Sequence, residues 1–181
     1  MSTRRWTAAV LLILFFPCVP FADDDALLAS SREIVARFTL QLQAALQDAM
    51  ATGGPTNAIG VCKDSAPDIA ANLSRESGAQ VSRTSLKLRN PANAPQDWQM
   101  AVLKDFELPA ASPEYFEQSG KNGFRYMKTI VTGPLCLTCH GTDLSESIQA
   151  ELDQAYPNDR ARGYRVGDVR GAFSIVWPDG V

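Results

Sequence analysis

One five-residue motif in this chain has the residue types and the spacing that covalent cofactor chemistry requires. Cys136 and Cys139 are separated by two residues, and His140 follows directly. Two thiols at this spacing match the two vinyl groups of a porphyrin, to each of which one thiol adds as a thioether. The next residue then stands over the iron, where an imidazole nitrogen is a proximal ligand. The motif therefore predicts one covalently attached c-type haem with His140 as an axial ligand.

Three other uses of these side chains remain open. The cysteines could form a thiol redox pair, although that chemistry is typical of a βαβ context, which the sequence does not suggest. Zinc needs four ligands, and Cys62 with the three motif residues could supply a Cys₃His set. A disulfide between Cys136 and Cys139 would close a very short, strained loop. The only histidine of the chain lies directly after the cysteine pair, and this position favours haem.

The second axial position of the iron needs a ligand other than histidine, or none, because the single histidine is already used. The candidates are Cys62, a lysine, and the methionines Met50, Met100 and Met127. Cys62 is the unpaired cysteine, and an exported free thiol is a liability unless it is buried or bound. The competing interpretation of Cys62 is a small buried core residue. The methionines look like core residues.

Hydrophobic periodicity and turn signals predict the elements that must position these residues. A long N-terminal helix over residues 24–50 carries one apolar stripe and ends at the Gly-Gly-Pro sequence of residues 53–55. Asn-Gly at 122–123, between two β-prone runs, predicts a hairpin. The other predicted elements are helices over 57–63, 65–77, 97–107 and 145–156, and strands over 80–89, 115–118, 124–132 and 170–177. They predict an α+β fold with a small central antiparallel sheet flanked by helices.

Residues 1–22 have the layout of a secretory signal peptide. Arg4 and Arg5 precede an uncharged apolar stretch, and small Ala22 precedes an acidic run. The stretch is short for a membrane span, which needs about 20 residues, so an uncleaved anchor is the less favoured alternative. We therefore expect export to the periplasm and one domain over residues 23–181. Contact with a membrane is expected only if the signal peptide is uncleaved.

The charge of the chain argues against nucleic acid as a partner. The formal net charge is −3, and loss of Arg4 and Arg5 would take it to −5. No basic cluster or stripe appears along the sequence, whereas proteins that bind nucleic acid or anionic membrane surfaces carry one. We therefore expect a protein partner, which would accept an electron or a signal.

Several segments resemble the Tll0287-like family of c-type haem proteins. They cover nearly all of the chain after residue 22 and comprise residues 57–62, 81–93, 136–141, 156–164 and 167–178. The resemblance implies a PAS-like fold, with a central antiparallel sheet and flanking helices. It also implies axial ligation by the motif histidine and by a cysteine in an early helical segment, which correspond here to His140 and Cys62. The family includes sensory domains fused to signalling proteins.

These features suggest an exported cytochrome with one haem that acts as a redox or gas sensor. A small periplasmic electron-transfer protein is the alternative. A thiolate from Cys62 would favour ferric iron, and its release on reduction would open the iron to a gas. We do not expect an enzyme, because no distal acid–base group is evident once the histidine is used.

Haem propionates are anionic and need basic partners. Arg83, Lys87 and Arg89 are predicted to project from one face of a strand at i, i+2 spacing, and Arg125 lies on the strand before the motif. These four residues are the candidate propionate partners. A solvated charged face is the alternative interpretation.

Overall fold

The computed structural model describes residues 23–118 and 123–179. The predicted signal peptide and the tip of the predicted hairpin, residues 119–122, lie outside these ranges. The helices are α1 (Asp24–Gly60), α2 (Ala66–Ser77), α3 (Asp97–Phe106), α4 (Leu137–His140) and α5 (Glu146–Ala155), and the strands are β1 (Gln80–Thr84), β2 (Glu114–Glu117), β3 (Phe124–Val131) and β4 (Val169–Trp177). Within these ranges, no helix combines the length and apolarity that a membrane crossing requires.

Helix α1 is long but kinked. Asp23 caps its first turn by accepting a hydrogen bond from the backbone N–H of Asp25. Gly54 leaves helical geometry, with φ 71° and ψ −169°, and Pro55 then opens a second helical segment. The stop predicted at residues 53–55 is therefore confirmed, and the short helix predicted to follow it is the second segment of α1. A π-helix, Val61–Ser65, follows and runs directly into α2.

The sheet is antiparallel, with strand order β1-β4-β3-β2. The pairing of β2 with β3 confirms the predicted hairpin, and β4, the last strand in sequence, lies between β1 and β3. The strand predicted over 80–89 is wrong beyond Thr84. There the hydroxyl of Ser85 accepts a hydrogen bond from the backbone N–H of Lys87 and donates to the carbonyl of Arg170, which turns the chain out of the ladder.

Helices cover both faces of the sheet, because side chains alternate between the two faces along each strand. On one face, α1 and α2 pack against apolar side chains of β1, β3 and β4. On the other face, α3 packs through Val102, Leu103 and Phe106 against Met127 and Ala172. This arrangement confirms the predicted α+β class with a long first helix, and it is consistent with a PAS-like fold.

A third apolar cluster lies beyond the kink in α1. Ile59 packs there against Leu144, Ile148 and Leu152 and against Tyr156, with Cys139 at its edge. Ser145 caps α5 as the sequence predicts, since its hydroxyl accepts from the backbone N–H of Ile148. This cluster fixes the end of α1, α5 and the CxxCH motif relative to one another.

Candidate cofactor site

The CxxCH motif forms a short, tightly tied turn. Residues Pro134–Cys136 form one 3₁₀ turn, and α4 continues through His140. The Gly141 N–H donates to the Leu137 carbonyl at 2.9 Å, and a Cβ on Gly141 would lie 2.6 Å from that oxygen. The carbonyl of His140 accepts from the N–H of Tyr164 at 2.9 Å, which ties the motif to the loop before β4. Its position is therefore set by the backbone on both sides.

The imidazole of His140 is held as one tautomer. Its Nδ1–H donates to the carbonyl of Ala161 at 2.7 Å, so Nε2 carries the lone pair, with Nη1 of Arg89 and Nη1 of Arg170 each 3.4 Å away. Burial and the nearby charges of Arg170 and Arg89 lower the pKa of His140 to about 3. The ring is therefore neutral at neutral pH, which is the form that binds a metal.

Nε2 of His140 lies at a cavity with two lobes, which hold about 500 and 640 Å³ of empty space when the part open to solvent is included. Six residues line both lobes: Cys62, Arg83, Arg89, His140, Tyr156 and Arg170. The larger lobe also has an apolar wall, made by Leu42, Leu46, Met50, Ala58, Ile59 and Leu135. One side thus suits a flat apolar molecule, and the other suits its anionic groups.

Cys62 reaches this cavity from the π-helix that follows α1, while Cys136, Cys139 and His140 reach it from the motif. π-Helical turns are rare and occur frequently at functional sites. The cavity therefore brings together all four residues that the sequence predicts to bind the haem and its iron.

The alternatives to haem fit this arrangement less well. The three described cysteines are free, so Cys136 and Cys139 do not form a disulfide. Burial raises the pKa of the Cys139 thiol despite the opposing charge of Arg89, whereas a reactive dithiol needs a lowered pKa. In residues 23–118 and 123–179, no three His, Cys, Asp or Glu side chains converge closely enough to hold a metal ion. The Cys₃His zinc set is therefore not assembled.

The basic residues proposed from the sequence divide into two groups. Arg83, Lys87 and Arg89 line the cavity, although only Arg83 does so from a strand. Lys87 and Arg89 lie in the irregular segment after β1, with the ammonium of Lys87 4.8 Å from the centre of the Tyr164 ring. Arg125 is not among the residues that line the cavity. Its guanidinium pairs with Glu117 at 3.1 Å and lies over the Trp98 ring.

The alternation of side chains between the two faces of the sheet explains the position of Arg125. The side chain of Arg83 lies on the same face of the sheet as the core residues that pack against α1. Its guanidinium carbon lies 5.6 Å from the centre of the Phe38 ring. Arg125 is flanked by Phe124 and Tyr126, which both point to the α1 face, so Arg125 points to the α3 face. Two residues on opposite faces of one sheet cannot contact the same cofactor.

The sequence interpretation missed two charged residues at the cavity. Arg170 is the second residue of β4, and its Nη1 lies 3.4 Å from Nε2 of His140. Its Nε is buried and has no hydrogen-bond partner among the described residues. Asp159, 1% exposed at its side chain, pairs with Arg89 at 3.1 Å. The sequence signal that could have identified Arg170 is a charged residue at the start of an otherwise apolar predicted strand. Nothing in the sequence marks Asp159 as the partner of Arg89.

An anionic group in the cavity would satisfy the buried Nε of Arg170, and buried charged groups are otherwise paired. Together with the neutral imidazole, the thiols of the motif and the apolar wall, this nitrogen fits a porphyrin that carries carboxylates. The donor set of the cavity is therefore compatible with haem c.

Comparisons with known proteins agree with this geometry. The model of the Tll0287-like family matches residues 22–178. The crystal structure of the cyanobacterial haem protein Tll0287 is similar, with a TM-score of 0.64 and 28% sequence identity, over 82% of this chain and 95% of that one. Among curated proteins, no sequence matches this chain significantly.

Proposed function

This chain belongs to the Tll0287-like family, and on that premise we propose that it is an exported cytochrome with one covalently bound haem c, which acts as a redox or gas sensor. The observation that carries the proposal is the shared cavity. Cys62 and His140, far apart in sequence, line both of its lobes. The similar structure, Tll0287, is that of a haem protein, and this similarity supports the same cofactor here.

Each part of the cavity has a role in holding the group. Cys136 and Cys139 would supply the thioether sulfurs, and Nε2 of His140 and the sulfur of Cys62 would bind the iron. The apolar wall, formed largely by α1, would cover the macrocycle, and Arg83 and Arg170 would pair with its carboxylates.

When bound there, iron porphyrin supplies a one-electron couple and a coordination site. Cys62, as a thiolate, adds a negative charge and electron density, which favour the ferric state. Reduction to ferrous iron would weaken the bond to the Cys62 sulfur, so Cys62 would couple the redox state to the occupancy of the second axial site. This coupling distinguishes a sensor from a protein that only carries electrons.

The test is spectroscopy and mass measurement on the protein exported by a host with a haem c attachment system. We expect the colour to remain with the polypeptide after washing with acidic acetone, and the mass to exceed that of the processed chain by one haem. We also expect the reduced protein to bind carbon monoxide. A colourless, unmodified chain would overturn the cofactor assignment. Bound haem that rejects carbon monoxide in the reduced state would overturn sensing by an open site and favour electron transfer.

Replacing Arg170 tests the assignment of the anionic groups. In a background with Cys136→Ala and Cys139→Ala, haem can bind only without thioethers, and its affinity can be titrated. We expect Arg170→Gln to weaken that affinity about ten- to a hundredfold, because a hydrogen bond to a charged group contributes about 1.5–3 kcal/mol. Arg125→Gln is the matched control, since Arg125 lies on the other face of the sheet. Equal losses in the two variants would contradict the assignment.

A further inference from the structure

Arg89 makes more contacts than binding an anion would require. Its Nε donates to Asp159 Oδ1 at 3.1 Å, and its Nη2 lies 3.1 Å from Asp159 Oδ2. The same Nη2 donates to the carbonyls of Cys139, at 2.5 Å, and Ala161, at 3.2 Å. The Nη1 of Arg89 lies 3.4 Å from Nε2 of His140. The Arg89 side chain is only 9% exposed. Its guanidinium therefore ties the CxxCH motif to the loop before β4.

The Ala161 carbonyl is the acceptor that also orients the candidate iron ligand. It receives the Nδ1–H of His140 at 2.7 Å and the Nη2–H of Arg89 at 3.2 Å. The backbone N–H of Ala161 donates to Asp159 Oδ1 at 2.9 Å, so Ala161 is held through both of its backbone polar groups. Two donors thus share one carbonyl, and one of them carries a full positive charge.

Sharing an acceptor has a predictable electronic effect. A cationic donor withdraws electron density from the carbonyl oxygen, so the oxygen accepts less strongly from the imidazole. The hydrogen bond from the second nitrogen of a ligating histidine sets the basicity of its metal-binding nitrogen. A weaker Nδ1–H bond leaves Nε2 a poorer donor, and a poorer donor stabilises ferric iron less.

We propose that Arg89, clamped by Asp159, is a positioning residue that sets the donor strength of His140 by sharing the Ala161 carbonyl with it. This inference rests on the proposed haem and adds to it a residue that tunes the iron through the histidine. Arg89 thereby has a different role from Arg83 and Arg170, whose side chains have no carboxylate partner among the described ion pairs.

The test is Arg89→Lys in the haem-loaded protein. Lysine keeps the charge beside Asp159, but a single ammonium cannot reproduce the planar fork that reaches Asp159, Cys139 and Ala161 together. The Ala161 carbonyl is then left to His140. We expect a lower midpoint potential and a higher iron–imidazole stretching frequency in the resonance Raman spectrum, with the covalent haem content unchanged.

Arg162→Lys is the matched control. Arg162 also donates to Asp159, from Nε at 2.8 Å, but makes no hydrogen bond to Ala161 or to the motif. We expect its potential and Raman frequency to equal those of the unmodified protein. Equal shifts in the two lysine variants, or no shift with Arg89→Lys, would overturn the proposal. Absence of haem from the unmodified protein would instead overturn the proposed function.

A second variant keeps the proposal testable if Arg89→Lys folds poorly. Arg89→Met combined with Asp159→Asn removes both buried charges together, so neither is left unpaired. Methionine cannot donate to the Ala161 carbonyl, and the same direction of both spectroscopic shifts is expected. A pair of shifts in the opposite direction would also overturn the proposal.

Discussion

Replacing Cys62 with serine is expected to raise the midpoint potential of the haem by on the order of 100 mV, because axial ligand identity sets haem potentials over a range of about 0.8 V. The substitution removes a thiolate, whose charge and electron donation favour ferric iron. The ferric absorption spectrum should change together with the potential. A spectroelectrochemical titration of the purified variant measures both quantities.

Met50→Leu is the control for Cys62→Ser. Met50 lines the same lobe of the cavity, and leucine conserves its volume and its apolar character. We expect no change in the absorption spectrum or the midpoint potential, because Met50 contributes to the apolar wall of the cavity and does not bind the iron. A shift with Met50→Leu and none with Cys62→Ser would exchange the roles of the two sulfurs and contradict the proposed ligand set.

Asp159→Asn is expected to lower the free energy of unfolding by about 3–5 kcal/mol, because it leaves the buried charge of Arg89 without its partner. Asp153→Asn breaks the outer bond of the same network, from Arg162 to a carboxylate that is 68% exposed, and should cost less than about 1 kcal/mol. Chemical denaturation of both variants gives the comparison. Equal losses would show that the buried pair contributes no more than a surface pair.

The same pair predicts how stability depends on pH. Burial opposes ionisation of Asp159, but hydrogen bonds from Arg89 and Arg162 outweigh it and hold the pKa of that carboxyl below its usual value. A carboxyl with a lowered pKa in the folded protein stabilises the fold above its unfolded pKa, and the contribution disappears as pH falls through the folded pKa. The Asp159→Asn variant should therefore lose less unfolding free energy than the unmodified protein when the pH falls below about 4.

The sequence predicted the parts of this protein that depend on local patterns. Periodicity and capping signals located α1, α3 and α5, because each helix presents an apolar face to the sheet or to its neighbours, and the Asn-Gly turn signal located the hairpin. The CxxCH motif identified Cys136, Cys139 and His140 as candidate haem-binding residues, because their spacing within one turn can be recognised from adjacent sequence positions.

Long-range contacts were not predictable in this way. The strand assigned to 80–89 ends at Thr84 because Ser85 bonds to Arg170, which lies 85 residues later in the chain. Arg125 looked equivalent to Arg83 in sequence, and only the register of β3 against β4 places it on the far face of the sheet. Asp159 and the Ala161 carbonyl act through contacts with Arg89 and His140, and no sequence pattern encodes such contacts.

The position of β4 constrains the order in which this chain can mature. β4 lies between β1 and β3, yet it is the last strand to be synthesised. Before it docks, β1 has no neighbour and β2 with β3 form a lone hairpin, which is marginal in water. The sulfurs at 136 and 139 precede β4 in the chain. If haem c is attached as proposed, both sulfurs can therefore react before the fourth strand completes the sheet.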